Sequence, residues 1–499
     1  MRAAVVLLVG VAACASSADA TSVPVAATTD TAAETELRAA TGVDWLVDLD
    51  VRRGTVTLAM PRTSPPATSG TDRGATALRF LSEHPSVFGD VGRLGAPVVV
   101  TDPDGAAHVR LLQGTNGYVV HFAKDGTIAF VNGTVDPKAG STAGQSKAFE
   151  LDGSGKGVRF YPPISDPGAI QKLEVSAGPT GFVLVRAATN GEPTITTTAA
   201  ADTPIASTTP DDWDPLASGA PGAGEAVDAH HNVAATVAWY HDVLGWTDFG
   251  QPETGITVRV HVGFDEHATY SEGGIDIGDG DVTTGGDNLP YSGLTILAHE
   301  LTHGVTQQCS GLSGSGEEGT LNEALSDIFA SLVSHDVTPG SDPFAIGAES
   351  TVSGKPLRSL SHPGVGVVRS RAEEGECNLP ATPPDNATRA YAGTCDSSGA
   401  HLNVGIPGNA FALMTAGGTN DTSGHAVRAP LGWEASRKLW WLVERTVLVG
   451  DTRFSDIARW QLAVATKNGI PVAPVACAWR AVGVLDDAYL AGRWSTTCD

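Results

Sequence analysis

The sequence predicts an α+β fold in which a strand-rich unit precedes a larger domain that turns helical toward its end. Three observations predict it. Short runs between 107 and 187 alternate apolar and polar residues, the mark of half-buried strands. A Thr-, Pro- and Gly-rich stretch over 196–226 carries no periodicity and divides the chain. Beyond it, apolar residues recur at helical spacing, first at Val233, Val237, Tyr240 and Leu244, later through much of 409–482.

The chain has 499 residues, enough for two or three domains. Its formal net charge of −25 argues against nucleic acid or an anionic membrane surface as a partner. Residues 1–20 read as a leader, with Arg2 ahead of an apolar run over 3–13 that is too short to span a bilayer. Ala18-Asp19-Ala20 suits ordinary leader cleavage, whereas Val11-Ala12-Ala13-Cys14 resembles a lipobox in which Cys14 would carry lipid. Both endings imply export, one to the medium and one to a lipid anchor at the bacterial envelope. No later stretch is apolar enough for a transmembrane helix. In an exported chain, neighbouring cysteines would pair as Cys377–Cys395 and Cys477–Cys498. Cys309 is then left over, either as a small buried hydrophobe or as a nucleophile or metal ligand.

Taken in order, residues 75–83 have a helical pattern. Strands are expected over 107–112, 117–122 and 128–132, with Asp125-Gly126 turning the chain between the last two. Residues 173–175 and 182–187 read as further strands. After the linker come a helix over 227–244, a strand over 256–262, and an acidic turn from Asp276 to Asp281, either solvated or able to hold calcium. Helices follow from about 294, through Glu323 to about 334, and, after a Pro- and Gly-rich loop over 335–400, at 409–415, 433–449, 454–467 and 474–482. Trp440 and Trp441 read as core.

The chemistry concentrates in 299–327. His299 and His303 stand one helical turn apart, so their rings project from one face, with Glu300 between them. The surrounding Ala298, Leu301 and Val305 mark a buried helix, and buried imidazoles need partners. Glu323 follows on a second apolar-periodic segment. Two imidazoles and a carboxylate give zinc three ligands and leave a position for water, the pattern of a catalytic site.

The motifs AHELTHGVT, GTLNEALSDIFA, LRSLSHP and DSSGAHLNVGIPGNAFALM occur in the order found in the thermolysin-like zinc metalloproteases, the neutral protease or bacillolysin family, which the chain resembles. The N-terminal unit resembles that family's propeptide through HVRLL and HFAKDGTIAFVNGTV. The resemblance implies a leader over 1–20, a propeptide over 21–195, a processing linker over 196–226, and a catalytic domain of two lobes. The lobes would be β-rich over 227–335 and mostly α-helical over 336–499, with the active-site cleft between them.

It further implies a zinc endopeptidase made as a zymogen, with its own propeptide as inhibitor and folding aid, and a monomer. Zinc would sit on His299, His303 and Glu323, and Glu300 would act as general base toward a zinc-bound water. Asp327 would orient a ligand imidazole, His401 held by Asp396 would stabilise the oxyanion, and Arg358 would bind a substrate carbonyl. His267 and Ala268 would lie on the strand that pairs with protein or peptide substrates, and Ile346 and Leu357 would line a pocket favouring cleavage before bulky apolar residues.

Departures accompany the match. Gly314 stands where the family has an oxyanion-binding tyrosine, and His267 where it has an asparagine. Ser334, Ala345, Ala348 and Thr295 replace carboxylates of the family's double calcium site, so calcium dependence does not follow. The competing class is a weak or inactive surface-binding lipoprotein that keeps the fold. A zinc exopeptidase would need an amine-binding carboxylate that the sequence does not offer.

Overall fold

Among the described residues a seven-stranded sheet comes first, and the alternation read from the sequence decides what each strand face meets. The computed structural model describes residues 28–29, 31–50, 55–63, 72–102, 105–113, 116–135, 156–158, 172–178, 181–207, 223–263, 267–271, 273–281, 286–312, 314–367, 377–494, 496 and 498. The leader and Cys14 lie outside the described residues.

Strands β1 (Thr28–Thr29), β2 (Trp45–Asp50), β3 (Thr55–Pro61), β4 (Val98–Thr101), β5 (Ala107–Gln113), β6 (Asn116–Phe122) and β7 (Ile128–Thr134) form one antiparallel sheet in the order β1-β2-β3-β7-β6-β5-β4. Val47, Ala59, Val120 and Val131 face a core that includes Leu37 of α1 (Thr31–Thr41) and Leu81 of α2 (Arg73–Glu83). Their sequence neighbours Leu46, Leu58, Val119 and Phe130 point the other way and join the core of the large domain. Strand period two therefore gives this sheet two buried faces.

A second sheet begins before the stretch expected to be linker and runs into it. The strands β8 (Val185–Arg186), β9 (Ile195–Ala199), β10 (Thr203–Pro204), β11 (Ile256–Val260), β12 (Ala268–Ser271) and β13 (Gly274–Ile277) run in the order β8-β9-β11-β13-β12, with β10 on β9. Strand β9 pairs in parallel with β11, register Thr197 to Val258, and β11 in parallel with β13. The expected linker boundaries at 195 and 196 thus cut through a strand. The reason is physical: Ile195-Thr196-Thr197-Thr198 is a β-branched run, and Ile195 is wholly buried. The helix α3 (Ala223–Trp239) then begins four residues before the expected boundary at 227.

Two long helices carry the centre of the molecule, α4 (Leu294–Cys309) and α5 (Gly316–Val337), and they pack along each other. A short ribbon of β14 (Ala345–Ile346) and β15 (Arg358–Ser359) follows. Five longer helices follow among the described residues: α6 (Gly405–Ala416), α7 (Trp433–Thr446), α8 (Phe454–Lys467), α9 (Val472–Ala481) and α10 (Asp487–Arg493). Trp440 is wholly buried and Trp441 is 8% exposed, the core positions expected. Disulfides join Cys377 to Cys395 and Cys477 to Cys498. Cys309 is a buried free thiol, and burial pushes its pKa well above the ordinary thiol value, which makes it inert.

Candidate functional site

Helix α4 owes its place to a close approach. A side chain at Gly304 would collide with the Phe249 carbonyl and the Tyr270 ring, so glycine lets the helix lie against β12. Its start has no side-chain cap of its own at Gly293. Glu349 supplies one from elsewhere: its Oε1 accepts from the Thr295 amide at 2.6 Å and the Thr295 hydroxyl at 2.5 Å.

The two helices bring together the residues that the spacing singled out. His299 Nε2 lies 3.1 Å from His303 Nε2 and 3.3 Å from Glu323 Oε2, and His303 Nε2 lies 3.6 Å from Glu323 Oε1. Both imidazoles are held by their other nitrogen. His299 Nδ1 donates to Asp327 Oδ1 at 2.7 Å, and His303 Nδ1 to Asn322 Oδ1 at 3.0 Å. Each Nε2 is thereby left with its lone pair toward the common point. Glu323 Oε2 is buried and has no hydrogen-bond partner among the described residues. A buried carboxylate oxygen without a donor, facing two imidazole lone pairs, fits a cation, and this nitrogen and oxygen donor set suits zinc.

The electrostatics agree. Burial opposes charge on His299, yet its bonds to Asp327 and Glu323 outweigh burial and raise its pKa to about 9. Burial opposes the Glu323 carboxylate too, but His303 and His401 hold its pKa well below the ordinary value.

Two family descriptions match the chain. "Thermolysin metallopeptidase, catalytic domain" matches residues 170–307, and "Thermolysin metallopeptidase, alpha-helical domain" matches residues 310–484. Together they cover more than half of the sequence. The chain belongs to the thermolysin metallopeptidase family. Neutral protease B of Bacillus subtilis (strain 168) is 34% identical over 270 residues, 52% of this chain and 45% of that protein. Thermolysin of Alicyclobacillus acidocaldarius is 34% identical over 203 residues, 39% of this chain and 33% of its own length. The chain thus spans under half the length of these curated relatives. A solved precursor of protealysin, a metalloproteinase from Serratia proteamaculans, superposes with a TM-score of 0.45 at 24% identity, covering 58% of this chain and 85% of that one.

Of the other expected residues, His401 and its partner Asp396 adjoin this cluster. Glu300 is 7% exposed on α4, one position from His299. His401 reaches Glu323 Oε1 with Nε2 at 3.4 Å, and its Nδ1 donates to Asp396 Oδ1 at 2.6 Å. Asp396 Oδ2 also accepts from the amides of His401 and Leu402, both at 2.8 Å. The turn that aims it places Asp396, Ser397 and Ser398 in the left-handed region, beside the Cys377–Cys395 bridge. Burial opposes charge on His401, but Glu323 and Asp396 outweigh it and raise the ring to about 10.

Arg358 forks onto Asp327, with Nε at 2.6 Å from Oδ2 and Nη2 at 2.7 Å from Oδ1. Ile346 pairs with Arg358 across the short ribbon, and the Leu357 amide donates to the Ile346 carbonyl at 2.9 Å. Leu357 is half-buried, whereas Ile346 is 1% exposed. His267 and Ala268 lie at the start of β12, which ends its sheet and pairs on one side with β13. The His267 side chain is exposed.

The structure accounts for two departures. Gly314 has φ of 100° and is exposed, a backbone a tyrosine would strain to adopt. At the positions of the family's calcium carboxylates, Thr295 engages Glu349, and the Ser334 hydroxyl lies 3.1 Å from that of Thr338 and 3.3 Å from that of Ser341. Asn322 is the site residue the sequence reading missed. It stands next to Glu323 in the same motif, and that adjacency was the available signal.

Proposed function

We propose that this chain is an exported zinc endopeptidase, made as a zymogen, that hydrolyses protein and peptide substrates. The observation that carries the reading is the convergence of His299 Nε2, His303 Nε2 and a donorless Glu323 oxygen within 3.6 Å, with His401 across from them. Zinc held by those three residues would supply Lewis acidity, polarising a scissile carbonyl and making a water more acidic.

The chain's own residues supply the rest. Glu300 takes the proton of the attacking water and delivers it to the leaving amine. His401, fixed by Asp396 on Nδ1, offers its Nε2 proton where the oxyanion develops; one such donor is typically worth about 10²–10³ in rate. The fork of Arg358 on Asp327 leaves further N–H groups for a substrate carbonyl. The outer edge of β12, from His267 and Ala268 onward, can pair with a substrate held extended. Leu357, together with Ile346, offers an apolar wall on the leaving side, which favours cleavage before bulky apolar residues.

The removable piece ends earlier than a cut in 196–226 would put it. Such a cut would take β9 from its place between β8 and β11, so the second sheet stays whole only if processing falls before β8. Casein hydrolysis by the processed protein should vanish with a zinc chelator, return with zinc and be lost in Glu300→Gln. In a peptide library the active, zinc-loaded samples should cut before Leu, Ile or Phe. Equal activity in all samples, or none in the zinc-loaded protein, sinks the reading, and a preference for charged residues sinks the specificity.

A further inference from the structure

A second imidazole–carboxylate cluster lies in the β-rich lobe, on elements the proposed chemistry does not use. Glu225 is in the first turn of α3, His261 directly follows β11, and Asp279 follows β13 in the acidic turn that the sequence left open. His261 Nδ1 lies 2.6 Å from Asp279 Oδ1 and 3.5 Å from Glu225 Oε2. One ligand atom from each of the three residues lies within 4.8 Å of the other two.

The Glu225 side chain is only 10% exposed, and its Oε1 has no hydrogen-bond partner among the described residues. His261 Nε2 is likewise buried and without a partner among them, so the polar contacts of that ring lie on the carboxylate side. One imidazole can balance at most one of the two carboxylates. Two carboxylates therefore share one imidazole, and a buried acceptor keeps no donor among the described residues.

We propose that Glu225, His261 and Asp279 form a second divalent-cation site, separate from His299, His303 and Glu323. One nitrogen and two carboxylates suit an ion of the zinc or manganese class better than calcium, which takes six to eight oxygens. The ion ties the first turn of α3 to the ends of the parallel strands β11 and β13, so its role is to brace the β-rich lobe. The rival arrangement is a proton shared between Glu225 and Asp279 with no ion.

The test counts metal in the full-length chain carrying Glu300→Gln, stripped with chelator and reloaded with zinc. Two equivalents per chain are expected by elemental analysis. Adding Glu225→Gln and Asp279→Asn should leave one, and His303→Ala in place of that pair should retain the second site. One equivalent in the parent, or two after removal of both carboxylates, overturns the proposal. Should the double variant fail to fold, cobalt(II) titration of the His303→Ala chain decides. A visible absorption band saturating at one equivalent supports the site, and no band means the shared proton.

Discussion

Asp327 holds two site residues at once, accepting from His299 Nδ1 on one oxygen and receiving the Arg358 fork on both. It is wholly buried, and although burial works against its charge, Arg358 and His299 keep its pKa below the ordinary carboxylate value. Asp327→Asn removes the charge that fixes the His299 tautomer, and zinc affinity should fall about 10–100-fold. Competition with a chromophoric chelator measures it; an affinity within twofold of the parent, in a variant with parental circular dichroism, rejects this role. Such residues were legible because helical spacing puts His299 and His303 on one face of their helix, and Glu323 and Asp327 on one face of the next. Asn322 was not, because an amide oxygen accepting from His303 carries no charge pattern to read.

At the scale of elements, the start of α4 shows where sequence reading stops. Its stabilising carboxylate is Glu349, 54 residues away in the chain, so no local pattern could announce the cap. Glu349→Gln should destabilise the chain by about 1 kcal/mol, since a carboxylate at a helix N-terminus meets both the open amides and the dipole. Urea unfolding of the Glu300→Gln background with and without the change measures it, and equal midpoints would remove the cap from the account. Strands of the second sheet were expected at 182–187 and 256–262, but β9 between them failed to show, for a different reason. Residues 193–210 combine Pro, Ala and Thr, a composition shared by linkers, while the β-branched run that makes β9 is only four residues long. Its parallel partner β11 is supplied by residues 256–260, and long-range pairing of that kind leaves no local trace.

At the scale of the whole molecule, the N-terminal sheet does more than precede the large domain. Asn132 donates to the Val447 carbonyl, Arg110 to that of Leu448 and Thr134 to that of Gly450, so the sheet satisfies the carbonyls that follow α7. Trp460 of α8 donates back to the Thr57 carbonyl, and Tyr489 and Arg493 of α10 meet the buried Asp48. On α7 itself sits Glu444, wholly buried, with no hydrogen-bond partner for either oxygen among the described residues. Burial pushes its pKa up to about 7, and the neighbouring Thr306 hydroxyl and the charge of Arg110 offset only part of that. The folded chain then keeps a proton that the unfolded chain gives up above its ordinary value of 4.5. The stability tied to that proton is whole below the unfolded value and is lost as pH climbs through the folded one, by at most about 3 kcal/mol. Glu444→Gln keeps the shape and removes the titration. In the Glu300→Gln background, the variant and its parent should unfold at similar urea concentrations near pH 4.5. By pH 8 the variant should be the more stable of the two, and a gap that stays constant from pH 4.5 to 8 would mean that Glu444 ionises freely in the folded protein.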